Sequence, residues 1–181
     1  MKKGLAIMSL LLAVTASGVA QDYEVDVTVD GTYASKYIWR GFDIYDDKAA
    51  FQPSATFGFW DSGFSAKVWY STPAAGGVNT QMFPVNEDDW LNYSLTYTGS
   101  AMEGDVWEME YSVSYVYYDF CGGATNEADF QEVNGAFAWP EVIGGGLTPT
   151  YQAVYLWDAD NDRIVNAPYA GFTSASDGWL H

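Results

Sequence analysis

Residues 23–42 decide the fold of this chain, and they read YEVDVTVDGTYASKYIWRGF. One set of alternate positions is mostly apolar or aromatic: Tyr23, Val25, Val27, Val29, Gly31, Tyr33, Tyr37 and Trp39. The intervening positions are polar or charged: Glu24, Asp26, Thr28, Asp30, Thr32, Lys36 and Arg40. Strands place successive side chains on opposite faces, whereas a helical period of about 3.6 residues would mix Val and Asp on every face. The stretch therefore predicts one long strand with an apolar and a polar face.

The same alternation recurs along the chain. We expect further strands at about 51–60, 64–72, 89–98, 106–120, 130–139 and 147–157, and a weaker eighth strand from 167 to about 174. Long polar loops at 43–49, 73–88, 121–129 and 158–166 alternate with shorter turns near 61–63, 99–105 and 140–146. No segment has the apolar spacing of a helix, so the sequence predicts an all-β, antiparallel fold.

The first twenty residues predict a secretory signal peptide. A basic start at Lys2 and Lys3 precedes an apolar run from Gly4 to Val14, and small residues lead to Ala20. The apolar run is shorter than the ~20 residues that a spanning helix needs. We therefore expect a signal peptide at 1–20 and one exported domain at 21–181.

The exported domain is strongly acidic. Without Lys2 and Lys3 the chain has five basic residues against 24 acidic ones, a net charge of 5 − 24 = −19. This balance argues against nucleic acid as a partner, because phosphates need basic side chains to neutralise them. It suits a surface or channel that favours cations, although solubility alone would also account for it.

A membrane barrel and a soluble sandwich both have one apolar and one polar face per strand, so other features must separate them. Aliphatic residues lie mid-strand, while aromatic residues gather toward the strand ends, as in the two aromatic girdles of outer-membrane barrels. Long and short connections alternate, as they do in such barrels. We therefore predict an antiparallel transmembrane β-barrel with about eight visible strands. Because residues 177–181 look like a turn entering another strand, a larger barrel with missing C-terminal sequence is the alternative.

Two segments resemble a known family. Residues 34–42, which read ASKYIWRGF, are followed by an acidic loop, an aromatic strand and the turn Trp60-Asp61-Ser62-Gly63-Phe64. This first third of the chain resembles the start of the TorF-like porins, a family of bacterial outer-membrane proteins. The resemblance implies an outer-membrane β-barrel, and it implies no catalytic residues because the family has no assigned reaction.

Charged residues on the predicted polar faces are candidates for a lumen or constriction. They are Lys36, Arg40, Lys67, Glu108, Glu110 and Glu132. Lys36 and Arg40 on one strand could face these acids and select ions. A structural ladder of salt bridges that fills a small lumen is the alternative, and the sequence favours it.

Other kinds of site have weaker support. Asp158, Asp160 and Asp162 are spaced as at the start of a calcium loop, but Arg163 stands where the loop needs Gly and Tyr169 where it needs an acid. Glu108 and Glu110 could be the paired acids of a glycosidase, yet their spacing is common on a polar strand face. We expect neither an enzyme nor a cofactor, because the sequence contains no set of nucleophile, base and orienting residue.

These features together predict a porin-like protein of the bacterial outer membrane. Its partners would be membrane lipid and small solutes or ions, which cross passively with a bias toward cations; the sequence leaves the oligomeric state open. A barrel with a plugged lumen is a variant of this prediction. The alternative is a secreted, soluble β-sandwich that binds carbohydrate through exposed Trp and Tyr side chains.

Overall fold

The computed structural model describes residues 12–13, 25–75, 89–121, 129–159 and 178–180. Within these ranges the chain is all-β, with a single short 3-10 turn at Trp60–Ser62 and no α-helix. The described residues include no helix long and apolar enough to cross a membrane. The predicted all-β fold is therefore confirmed for this part of the chain.

The strands form one antiparallel sheet and one small hairpin. Their bounds are β1 Leu12–Ala13, β2 Val25–Ala34, β3 Ile38–Trp39, β4 Phe42–Asp43, β5 Ala50–Phe59, β6 Phe64–Pro73, β7 Asp89–Ala101, β8 Met109–Cys121, β9 Phe130–Ala138, β10 Thr150–Asp158 and β11 Gly178–Leu180. The sheet has the order β1-β2-β5-β6-β7-β8-β9-β10-β11, and β3 pairs with β4 separately. Each strand of the sheet pairs with the strands of the sheet next to it in sequence, as in a meander, and the β3–β4 hairpin lies between β2 and β5 in the chain.

The register of the sheet keeps apolar side chains together on one face. One row of cross-strand partners, from β2 to β10, consists of Val27, Phe57, Ala66, Leu95, Tyr115, Val133 and Tyr155. The next row lies on the opposite face and contains Asp26, Gly58, Ser65, Thr96, Ser114, Asn134 and Val154. We call these the apolar face and the polar face. They match the two faces that the alternation predicts.

Much of the apolar face is exposed, unlike the apolar face of a soluble sheet. Large apolar side chains of the apolar face are exposed, among them Val29, Tyr33, Phe64, Val68, Tyr93, Leu95, Val113, Tyr115, Val133 and Tyr151. The buried core lies on the polar face, where Trp90, Tyr118, Phe120, Phe130, Val154 and Leu156 pack with Ile44 and Tyr45. Water-soluble sheets bury their apolar face instead, so this distribution requires an explanation in terms of the environment.

The connections distinguish two ends of the sheet. At one end, which we call the short-turn end, residues 60–63, 102–108 and 139–149 join β5 to β6, β7 to β8 and β9 to β10. At the long-loop end, residues 35–49, 74–88 and 122–129 make the other connections. The predicted alternation of long and short connections holds only as far as β9, because residues 139–149 form a longer connection than residues 122–129.

Several predicted strand bounds were wrong. The strand predicted at 23–42 ends at Ala34, and β3 and β4 form a hairpin instead of continuing it. Arg40 and Gly41 have φ angles of 50° and 86°, the positive pair that a two-residue type I′ turn requires. The strand predicted at 106–120 begins at Met109, because residues 102–108 form a turn in which the Glu108 backbone N–H donates to the Asp105 carbonyl oxygen. The eighth strand predicted at 167–174 lies outside the described residues.

We expect the Gly63→Ala variant to be destabilised by more than about 1 kcal/mol. Gly63 has a φ of 77°, and a Cβ atom there would lie 2.4 Å from the Thr98 carbonyl oxygen. Strand β7, which contains Thr98, cannot move away from Gly63 freely, because the Thr98 N–H donates to the Gly63 carbonyl oxygen at 2.9 Å. The midpoint of thermal unfolding measures the effect. Gly144→Ala is the control, since a Cβ atom there meets nothing within 4 Å; equal midpoints for the two variants would contradict the expectation.

Candidate functional site

Residues 35–49 fold across the polar face at the long-loop end, and we call them the cover segment. The β3–β4 hairpin forms its tip, and the Ile44 N–H donates to the Tyr37 carbonyl oxygen at 3.0 Å. Ile44 and Tyr45 are fully buried. The segment that connects β2 to β5 therefore forms part of the core of the molecule and is not a solvated surface loop.

Aromatic contacts attach the cover segment to four strands. The Trp39 ring lies 5.9 Å from Trp90 on β7, 6.0 Å from Tyr118 on β8 and 6.2 Å from Phe130 on β9, measured between centroids. The Tyr37 ring lies 5.9 Å from Trp69 on β6. Edge-to-face and tilted pairs at such distances are favourable beyond the area that they bury. The hairpin therefore reaches across the polar face and contacts four neighbouring strands.

A partly buried ion pair joins the hairpin tip to β9. The Arg40 Nη2 atom lies 2.7 Å from the Glu132 Oε2 atom, and the two residues are 92 positions apart. The Glu132 side chain is 2% exposed and that of Arg40 is 25% exposed. The Arg40 guanidinium also lies 4.4 Å from the centroid of the Trp39 ring, within cation–π range. Because the Glu132 carboxylate is removed from water, its charge depends on Arg40 for compensation.

Hydrogen bonds between buried polar side chains hold the base of the cover segment. The Tyr45 hydroxyl donates to the Ser71 Oγ atom at 2.9 Å, and the Gln52 Nε2 atom donates to the same oxygen at 3.2 Å. All three side chains are buried. A buried hydroxyl without a partner is costly, so this network favours one position of the cover segment over the sheet.

Lys36 forms an ion-pair cluster on the outer side of the cover segment. Its Nζ atom lies 3.0 Å from the Asp43 Oδ2 atom and also contacts the Asp47 carboxylate. Hydrogen bonds to Asp47 and Asp43 raise the pKa of Lys36. Burial tends to raise the pKa of Asp43, but its bonds to Lys36 and to the Asp47 N–H outweigh burial, so the pKa is lowered.

These pKa shifts predict how the contribution of the cluster depends on pH. A lowered carboxylate pKa stabilises the fold above the unfolded value of ~3.9, and this contribution is lost as the pH falls through the folded pKa of Asp43. We therefore expect Lys36→Met to have a lower unfolding midpoint than the wild type at neutral pH. The two midpoints should converge below about pH 4. A difference that persists unchanged in acid would rule out the ionic explanation.

The other predicted lumen residues are not brought together. Lys67 is exposed in the middle of the polar face between Thr56 and Ser94, and the described residues give it no ion pair. Glu108 lies in the turn before β8, where its Oε2 atom accepts a hydrogen bond from the Gly104 N–H at 2.8 Å. Glu110 is on the polar face near the short-turn end. Of the three acids considered for Arg40, the structure pairs it with Glu132, and the described part of the polar face carries no salt-bridge ladder.

The calcium candidates cannot be assessed in the same way. Asp160 and Asp162 lie outside the described residues, and Asp158 ends β10 with its side chain outside them. The described ranges contain no group of three or more His, Cys, Asp or Glu side chains that could hold a metal ion.

The aromatic residues that receive the cover segment were missed as site residues. Trp69, Trp90, Tyr118, Phe120 and Phe130 all occupy polar-face positions, and all lie toward the long-loop end of their strands. Their positions in the alternating pattern were the available signal, because the alternation places these aromatic residues on the polar face. Large aromatic side chains at polar positions, confined to one end of several strands, indicate that something packs on that end of the polar face.

The polar face is thus divided in two. The cover segment fills the long-loop half, and the short-turn half has an open basin of about 560 Å³ across β7 to β10. No family model matches this chain, and no curated protein or solved structure matches it significantly.

Proposed function

We propose that this protein is a β-barrel of the bacterial outer membrane, with the apolar face toward lipid and the polar face lining the interior. The observation that carries the proposal is that large apolar side chains are exposed across the apolar face of the sheet. Val29, Val68, Leu95, Val113 and Val133 are each more than a third exposed and lie on five strands. An apolar surface of this width is unfavourable in water and suited to hydrocarbon.

The proposal includes closure of the sheet. In a bilayer every backbone N–H and C=O group must be paired within the protein, so the free edges of the sheet must meet. Strand β1 lies within the predicted signal peptide and covers the edge of β2 through Val29 and Thr28. Removal of residues 1–20 on export would free that edge for pairing with the far side of the sheet.

The proposed barrel is porin-like and its lumen is partly filled. With the long-loop end outward, as in other outer-membrane barrels, the cover segment occupies the external half of the interior. Small solutes and ions would cross passively when the segment moves, and the net charge of −19 would favour cations. Kinship with the TorF-like porins is part of this proposal and depends on residues 34–42 and 60–64. No reaction, cofactor or nucleic acid partner is part of it.

Gel mobility of protein extracted from outer membranes, with and without boiling, tests the proposal. A closed barrel that resists detergent runs faster before boiling and shifts to its full apparent mass afterwards. A soluble exported protein without such a shift would overturn the proposal and favour the secreted carbohydrate-binding sandwich.

A further inference from the structure

The open half of the polar face forms a concave basin at the short-turn end. Its volume of about 560 Å³ is in the range of small-molecule sites, which are typically ~300–1,000 Å³. The polar-face side chains that line it include Thr98, Ser100, Glu110, Ser112, Thr150 and Gln152. The core that binds the cover segment lies toward the other end of the same face, and none of its residues lines the basin.

One charge dominates this basin. Glu110 is the single charged side chain among its described lining residues. Its cross-strand neighbours are Ser100 and Ala138, whose small side chains leave the carboxylate uncovered. Within the described part of the chain, no basic side chain comes within 4.0 Å of it. The basin therefore presents an uncompensated negative charge in a concave surface, which attracts a cation.

The hydroxyl groups around Glu110 differ in their availability. The Thr98 hydroxyl donates to the Gly63 carbonyl oxygen at 3.3 Å, and the Ser100 hydroxyl donates to Glu103. In contrast, the described residues supply no hydrogen-bond partner for the hydroxyls of Ser112 and Thr150. A hydroxyl can both donate and accept, so these two groups suit a ligand that itself carries hydroxyl groups.

The amide of Gln152 adds an acceptor. Its Nε2 atom donates to the Asn134 Oδ1 atom at 3.0 Å, an arrangement that leaves the Oε1 atom available to accept from a ligand. The basin thus offers one carboxylate, two hydroxyls and an amide oxygen, with no basic group among its described lining residues. Anions are disfavoured there, and neutral polyols would leave the carboxylate without a counter-charge.

We infer that the basin binds a small, hydroxyl-rich organic cation, with the ligand ammonium on Glu110 and its hydroxyls on Ser112 and Thr150. Amino sugars are the chemical class that fits this description. The inference rests on the proposed function only for the route by which the ligand arrives, from the side of the short turns. The basin itself depends on the sheet and the turns, whatever surrounds the apolar face.

Three sugars of similar size and different charge test the inference. Glucosamine, glucose and glucuronate are titrated by calorimetry into the detergent-extracted protein at a pH where the amine of glucosamine is protonated. We expect glucosamine to bind about tenfold more tightly than glucose, since a hydrogen bond between charged groups is stronger than one between neutral groups. Glucuronate should not bind. Equal affinities for the three sugars, or no binding by any of them, would overturn the inference, and this test needs only the wild-type protein.

Two single-charge variants provide the matched comparison. Glu110→Gln should lower the affinity for glucosamine to that for glucose. Glu141→Gln removes the same charge from an exposed position in the turn between β9 and β10 and should leave the affinity unchanged. Full glucosamine affinity in Glu110→Gln would overturn the inference.

The boiling shift measured on the same samples separates this inference from the proposed function. A shifted band without selective glucosamine binding would reject the basin and leave the membrane barrel standing. Selective glucosamine binding by a protein that shows no boiling shift would reject the membrane barrel and leave the basin standing.

Discussion

Val113→Arg should prevent the protein from accumulating in the outer membrane. Val113 lies on the apolar face of β8, is 45% exposed, and has Tyr97 and Gly135 as cross-strand neighbours. If that face meets lipid, an arginine there costs about 2–4 kcal/mol near the bilayer midplane. If the same face meets water, an exposed substitution of this kind changes stability by no more than about 0.5 kcal/mol.

Ser112→Arg is the matched control for this prediction. Ser112 precedes Val113 on the same strand but lies on the polar face, in the open basin. We expect this variant to reach the outer membrane in wild-type amounts, as measured by fractionation and immunoblotting. The opposite ranking, with Ser112→Arg lost and Val113→Arg retained, would mean that the two faces have been assigned the wrong way round.

Arg40→Ala should be the most destabilising change in the cover segment. The substitution leaves the Glu132 carboxylate buried without its partner at 2.7 Å, and removal of one member of a buried ion pair typically costs about 3–5 kcal/mol. It also removes the cation–π contact with Trp39. We expect the boiling shift to have its midpoint at a lower temperature than in the wild type. We also expect a higher single-channel conductance, because the cover segment would no longer be fixed in the external half of the lumen.

Two further variants separate charge from packing in this result. In Arg40→Ala/Glu132→Gln the buried charge is absent, so part of the lost stability should return if the uncompensated carboxylate is the cause. Lys67→Ala removes an exposed basic residue from the polar face and should change the midpoint little. An Arg40→Ala midpoint equal to that of Lys67→Ala would show that the ion pair does not hold the segment.

The strands themselves were predictable because alternation is a local property of the sequence. The face on which each residue from Val25 to Tyr33 lies can be assigned from its polarity and its position, even when the partner strand is not known. The same is true of β5 to β10, whose predicted positions overlap the observed strands. The bounds were less predictable, since turns such as residues 102–108 end a strand through backbone hydrogen bonds that the alternation does not encode.

The cover segment could not be predicted in this way. Alternation continues through Tyr37 and Trp39 and therefore suggested one strand to residue 42, but the positive φ angles of Arg40 and Gly41 reverse the chain. Arg-Gly is a weaker turn signal than Asn-Gly, and packing of the hairpin on the polar face stabilises it. The pairing of Arg40 with Glu132 joins residues 92 positions apart, and the sequence offered Glu108 and Glu110 as equal alternatives.

The central claim, that the apolar face meets lipid, is tested most directly by spin labels at two adjacent positions of β7. Leu95 lies on the apolar face and is 49% exposed, and Ser94 lies on the polar face beside Lys67. The labels are introduced as Leu95→Cys and Ser94→Cys with Cys121→Ser as background, and the protein is reconstituted in lipid vesicles. We predict that the label at position 95 collides more with apolar oxygen than with a water-soluble nickel chelate, and that the label at 94 does the reverse. A label at position 95 that collides mainly with the nickel chelate would contradict the membrane barrel.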